Sequence, residues 1–168
     1  MSALRRTMLK GFAPSLFDTL FDDPPRAATR HRLSLEQLKD SVARDLEALL
    51  NTRIVFDADL ARDFPLAGRS VAGFGLCDFA GMSLANVHDR QRICRAIEQA
   101  IAAHEPRLRN VRVELELQRN AINALFFSIN AVLFVNPAQE PVAFDALLQP
   151  TSLQYSVSRP RGRASVSE

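Results

Sequence analysis

Between Asn86 and Leu117 a run of helical periodicity meets Pro106 and re-emerges with the period of a strand. Ile93, Ala96, Ile97, Ala100 and Ile101 recur at helical spacing, while Arg90, Arg92, Arg95, Glu98 and Gln99 occupy the polar faces. Pro106 removes an amide donor and pushes Glu105 out of helical geometry, so the helix is expected to stop near His104. Beyond it Val111, Val113, Leu115 and Leu117 alternate with Arg112, Glu114, Glu116 and Gln118, the pattern of a half-buried strand. Glu105 sits oddly at this junction, because the negative end of the helix dipole favours cations. It needs a partner or a purpose, and Arg107 is a candidate partner. If the two merely brace an exposed corner, replacing either costs about 1 kcal/mol or less.

The remaining pattern supplies the layers around that junction. Ser34 to Asn51 is a helix with Ser34 as N-cap, Gln37 at the capping-box position and Leu35, Leu38, Val42, Leu46 and Leu49 at helical spacing. Lys39, Asp40, Arg44, Glu47 and Arg53 on its other face read as a solvated surface. Gly68, Gly73, Gly75 and Gly81 punctuate a loop-rich stretch that packs Phe74 and Phe79 inward; Gly73-Phe74-Gly75 lacks the context of a phosphate loop. After a hairpin turn at Arg119 to Asn123, a second strand to Val135 has one uniformly apolar face and is expected to be central. Asn136 to Pro141 reads as a turn, Val142 to Leu148 as a third strand, and Leu153, Tyr155 and Val157 mark a fourth. The order predicts an α+β domain, with two main helices packed on an antiparallel sheet of about four strands and a short N-terminal helix. Such a sheet keeps an unpaired edge, which is either blunted or used to add another chain's strand.

Three segments follow: 1–32, an N-terminal docking segment and linker; 33–158, the α+β domain; and 159–168, a flexible basic tail. Within the first, Phe12, Leu16, Phe17, Leu20 and Phe21 form a short apolar pattern with Pro14 as an early helical residue. Leu16, Phe17 and Leu20 are the partner-docking candidates, tethered through a Pro- and Arg-containing linker. Folding back onto the chain's own core satisfies the same periodicity.

Net charge is only +2 and the chain has no Trp and one Tyr, which argues against a nucleic-acid groove. Cys77 and Cys94 lack paired spacing and read as buried free thiols of a reducing compartment. The apolar residues after the basic N-terminus are interrupted by Lys10, Pro14 and Asp18, and no apolar run is long enough to span a membrane, so a cytoplasmic location is expected. His31, His88 and His104 are too scattered to suggest a metal site, and no cofactor motif is present. Cys94 and His104 would stand about 15 Å apart on one helix, too far for a nucleophilic pair. Glu98 and Glu105, about 10 Å apart along it, lie at or beyond the limit for a glycosidase pair.

Several strings then coincide: Pro14-Ser15-Leu16-Phe17-Asp18, Asp45 through Arg53, Gly75-Leu76-Cys77-Asp78-Phe79-Ala80-Gly81, Ala96-Ile97, Glu105-Pro106-Arg107-Leu108 and Val111-Arg112-Val113. Together, over about Pro14 to Val157, they resemble the TssE family of type VI secretion baseplate proteins, relatives of the contractile phage baseplate wedge protein often labelled lysozyme-like. Gly73 to Asp78 departs from the Asn-Tyr-Gly-Leu-Pro-Asp more usual in that family. The resemblance implies a structural, non-enzymatic protein of the cytoplasmic baseplate, without direct membrane insertion. It would link wedge subunits to the first ring of contractile sheath subunits and help initiate sheath assembly. Glu105, Pro106 and Arg107, with a sheet edge, would form the sheath contact, as a projecting grip whose alanine variants keep their thermal stability. The alternatives are a peptidoglycan hydrolase using Glu105 as acid, and an adaptor in an unrelated assembly acting through Leu16 and Phe17.

Overall fold

Ser34 starts helix α1 (Leu35–Asn51) with the reciprocal capping box that its spacing predicts: Ser34 Oγ accepts from the Gln37 amide at 3.2 Å, and Gln37 Oε1 accepts from the Ser34 amide at 2.8 Å. The computed structural model of the protein describes residues 11–14, 32–54, 62–68, 70–79, 81–83, 86–116, 125–135, 138–149 and 151–160. After α1 come a short helix α2 (Pro65–Gly68), a 3-10 turn (Val71–Gly73) and helix α3 (Val87–His104), capped by Asn86, whose side chain accepts from the His88 amide. Strands β1 (Leu108–Glu116), β2 (Leu125–Val135), β3 (Ala138–Gln149) and β4 (Gln154–Ser158) follow and pair antiparallel in the order β1-β2-β3-β4. The domain is α+β, and β2 is central as its apolar pattern predicts.

One core lies between the helices and the sheet. Leu38, Val42, Leu46, Leu49 and Leu50 of α1 and Ile93, Ile97 and Ile101 of α3 are all nearly inaccessible, as are Phe127, Ile129 and Leu133 of β2 and Phe144 of β3. Each such side chain contributes about 1.5–3 kcal/mol of transfer free energy, so this apolar face dominates the stability of the arrangement. The helices divide the sheet between them, α1 packing along β4 and α3 along β1. Each therefore runs beside an edge strand.

Two strand boundaries differ from the sequence reading for identifiable reasons. β1 begins at Leu108 rather than Val111, because the register shifts between Arg109 and Arg112, where Asn110 takes a positive φ of 54°. That bulge inserts one residue, so Leu108 and Val113, which plain alternation would send to opposite faces, are both buried. β3 begins at Ala138 and runs through Pro141, which pairs with Val132 of β2. Residues 145, 147 and 149 turn their backbone groups toward β4, so Pro141 shares their parity, and β4 ends opposite Asp145. The missing amide thus falls where no strand needs it.

The N-terminal pattern also changes at its start. Phe12, expected in a helix, instead forms an isolated bridge with Leu33, with both N–H to O distances 2.9 Å, and packs against the core. Gly11 allows the approach, since its φ is 129° and a Cβ there would lie 2.6 Å from Arg32 Cβ. Leu16, Phe17 and Leu20 lie outside the described residues, as do the expected short helix beyond Pro14 and the turn at Arg119 to Asn123. In the glycine-rich stretch, Phe74 and Phe79 pack partly buried against the core, but Leu76 is the residue that is fully enclosed. Leu76 bridges Arg53, and Gly75, at φ 126°, lets this loop pass so close that a Cβ would meet Thr52 O at 2.5 Å.

Candidate functional site: the helix-to-strand corner and the sheet edges

Pro106 stops α3 as expected. Glu105 is the C-cap, its amide donating to Ile101 O at 2.8 Å, and the Leu108 amide donating to Glu105 O at 3.1 Å closes a tight turn with exposed Pro106 at its apex. The Phe134 amide then donates to Arg107 O at 2.7 Å, joining the corner to β2.

The Glu105 side chain does not project. The residue is 5% exposed, and its Oε1 accepts from the Arg107 amide at 3.1 Å and from Arg107 Nε at 2.7 Å, while Oε2 takes Arg107 Nη2. The same Nη2 reaches Asp45 of α1. Burial pulls the Arg107 pKa down, but the hydrogen bonds and charges of Glu105 and then Asp45 outweigh it, raising it above the usual guanidinium range. The awkward carboxylate at the helix terminus is therefore half of a buried ion pair that fixes the first residues of β1 against α1. Removing one partner of such a pair costs about 3–5 kcal/mol, so near-neutral alanine variants are not expected here. Asp45 is the member that periodicity alone did not single out. Its signal was the Asp45 to Arg53 string, which carries no spacing relation to Arg107.

His104 steadies the other side of the corner. Its Nε2 lies 2.9 Å from Gly73 O, and its ring meets Phe74 edge-on, with centroids 5.4 Å apart. A groove of about 720 Å³ opens between this corner, α1 and the N-terminal bridge, lined by Phe12, Leu38, Leu49, Phe74, Pro106 and Arg107 among others. Glu105 borders this groove, whereas Glu98 borders a different one and accepts from the Val113 amide at 2.9 Å. The two glutamates thus share no cleft, and both oxygens of Glu105 are held by Arg107. A carboxylate pair flanking one substrate is not assembled.

What these residues do assemble is a rigid Glu-Pro-Arg turn between an edge helix and a four-stranded meander. The family model of baseplate wedge protein gp25 matches residues 36–138, from α1 to the start of β3 and more than half of the chain. The chain belongs to the gp25 baseplate wedge family. This is the family of TssE, the type VI baseplate protein, and its members are structural components of baseplates. A search of curated proteins finds none that matches. Among the described residues of this baseplate-family protein, no group of three or more His, Cys, Asp or Glu could hold a metal ion, and no helix is long and apolar enough to cross a membrane.

For a subunit that assembles with others, the unpaired sheet edges matter, and side chains of the flanking helices occupy both. At β4, Asn51 Nδ2 donates to Tyr155 O and Asn51 Oδ1 accepts from the Tyr155 amide, each at 2.8 Å, while Glu47 Oε2 accepts from the Val157 amide at 2.8 Å. Residues four apart on a helix rise about 6 Å, and residues two apart on a strand about 6.8 Å, so Glu47 and Asn51 match consecutive outward amides. At β1 the same spacing recurs: Glu98 takes the Val113 amide, and the Cys94 thiol stands beside the Leu115 backbone.

These contacts correct two expectations. The polar face of α1 is not simply solvated, since Glu47 holds β4, Lys39 Nζ donates to Glu140 of β3 at 2.7 Å and Arg53 Nη2 donates to Leu153 O at 3.1 Å. Of the two thiols, Cys94 is half-buried, with burial pushing its pKa up, but Cys77 is exposed because it follows Leu76, whose side chain takes the inward position. Arg159, assigned to the tail, pairs with Glu36 and with Asp40 of α1.

Proposed function

We propose that this protein is a non-enzymatic structural component of a type VI secretion baseplate wedge, joining wedge subunits to the first ring of contractile sheath subunits and helping to initiate sheath assembly. Family membership supports the baseplate role. The observation that carries the sheath contact is the corner: exposed Pro106 is presented on a turn whose flanking residues, Glu105 and Arg107, are locked by charge-assisted hydrogen bonds. A preorganised apex binds without the cost of ordering a loop. In this reading Glu105 works by holding the turn, Arg107 by holding it and presenting its partly exposed guanidinium, and Pro106 by touching the sheath. Leu16, Phe17 and Leu20 would dock a wedge subunit, in the cytoplasm.

Because alanine at Glu105 or Arg107 loosens the fold, Pro106 is the discriminating position. Pro106→Asp places a charge at the exposed apex and leaves the ion pair in place. It is expected to keep a melting temperature within a few degrees of the parent while abolishing sheath assembly, scored by fluorescent sheath formation in cells. Normal sheaths with this variant would overturn the corner as the contact.

A further inference from the structure

The face of the sheet turned away from the helices carries its charges unevenly. The bulge at Asn110 inserts one residue between Arg109 and Arg112, so these two arginines, three apart in the chain, stand across from Val132 and Asn130, successive outward positions of β2. Plain alternation would send them to opposite faces. Both are exposed, and among the described residues no carboxylate pairs with either. Arg109 Cζ lies 4.3 Å from the centroid of the Phe134 ring, so stacking holds the guanidinium in place while its N–H donors stay available. The Phe134 amide donates to Arg107 O, which sets this stacked pair directly beside the Pro106 turn. The acids Glu114 and Asp145 lie farther from the corner on the same face, both opposite Ser128.

We propose that the corner end of this outer face is a docking surface for an acidic surface segment of a sheath subunit, with Arg109 as the residue that sets its specificity. A carboxylate of the segment takes the in-plane donors of Arg109, with Arg112 beside it, and apolar side chains next to that carboxylate cover Phe134 and the Val132–Pro141 pair. Charge selects the occupant, because a cationic pair that the chain does not neutralise itself favours carboxylates and rejects cations. The surface is continuous with exposed Pro106, so a partner seated on the turn reaches Arg109 without any rearrangement of the sheet. The partner's identity rests on the sheath-linking role proposed above; the acidic character of the segment rests on the arginines alone.

Titration of the intact protein with purified sheath subunits, at low and at high salt, tests this surface. At low salt Arg109→Glu is expected to bind about tenfold more weakly or worse, the loss of at least one charge-assisted hydrogen bond. The parent's affinity should fall as salt rises and converge on that of the variant. Arg109→Lys keeps the charge without the planar fork, and is expected to lose about threefold. Glu114→Gln, farther along the same face, should bind no more weakly than the parent. Arg109 is exposed, so each variant is expected to melt within a few degrees of the parent. Parent-like binding by Arg109→Glu, or a loss that Glu114→Gln shares, would overturn the docking surface and leave the sheath-linking role standing. Failure of the parent itself to bind sheath subunits would overturn that role and the docking surface with it.

Discussion

On the β4 edge one asparagine both donates to and accepts from Tyr155 while Glu47 takes the Val157 amide; on the β1 edge Glu98 takes one amide and no described side chain reaches the adjoining carbonyl. Both use the same match of helical and strand spacing, so the difference lies in chemistry. An asparagine amide can complete a backbone residue's donor and acceptor together, whereas an ionised carboxylate can only accept. A side chain that completes both groups blunts an edge more fully than one that completes the donor alone.

The largest effect should come from the corner that anchors the β1 side. Glu105→Ala leaves Arg107 with Asp45 alone in a site where Glu105 was 5% exposed, and the expected loss is about 3 kcal/mol in urea denaturation. Hydrogen exchange should show β1 loosening before β4. A loss under about 1 kcal/mol would mean that the corner behaves as an exposed brace and that the β1 edge does not depend on it.

Alkaline titration tests the β4 side. Burial pushes the Tyr155 pKa from 10 up to about 12, so the phenol ionises less readily in the folded protein than in the unfolded chain. The stability this represents is whole below about pH 10 and is lost as pH rises through about 12, on the order of 2 kcal/mol by the upper end. Urea midpoints should fall across that window, and Tyr155→Phe should flatten the fall. A midpoint that drops equally in Tyr155→Phe would place the alkaline sensitivity elsewhere.

Asn51→Ala comes next. It leaves the Tyr155 amide and carbonyl without their partner at a half-covered edge, at a cost of about 1.5 kcal/mol. The closing of β4 predicts a second outcome, since the variant now exposes a row of edge groups: concentration-dependent self-association by sedimentation. A variant that stays monomeric at high concentration would show that Asn51 contributes stability but does not guard the edge.

How much of this was legible beforehand depends on the range of the interaction. The capping box, the stop at Pro106, the meander and the central apolar strand follow from residues within a few positions of one another, and each is present. The start of β1 is hidden from the sequence because a bulge at Asn110 breaks the alternation that identifies strands. From sequence, Glu47 is a surface position, Asn51 a helix terminus, Asp45 part of a family string and Glu98 part of a polar face. Their partners lie 110, 104, 62 and 15 residues away, and no local pattern marks a side chain whose partner lies so far along the chain. Glu105 fell between these cases: its conflict with the helix dipole flagged it from sequence, but its burial decided that the charge is spent inside the molecule.

The smallest effect is also the sharpest comparison, between Glu98→Ala and Glu47→Ala. Each removes one carboxylate from one outward amide, at Val113 and at Val157 respectively. If β1 is the open edge, water replaces Glu98 readily and the loss is about 0.5 kcal/mol, whereas at β4 Asn51 still holds the strand against α1 and keeps water from the freed amide, giving about 1 kcal/mol. The order of the two, read from paired urea midpoints, carries the test. A larger loss for Glu98→Ala would mean that the β1 edge is the more enclosed of the two.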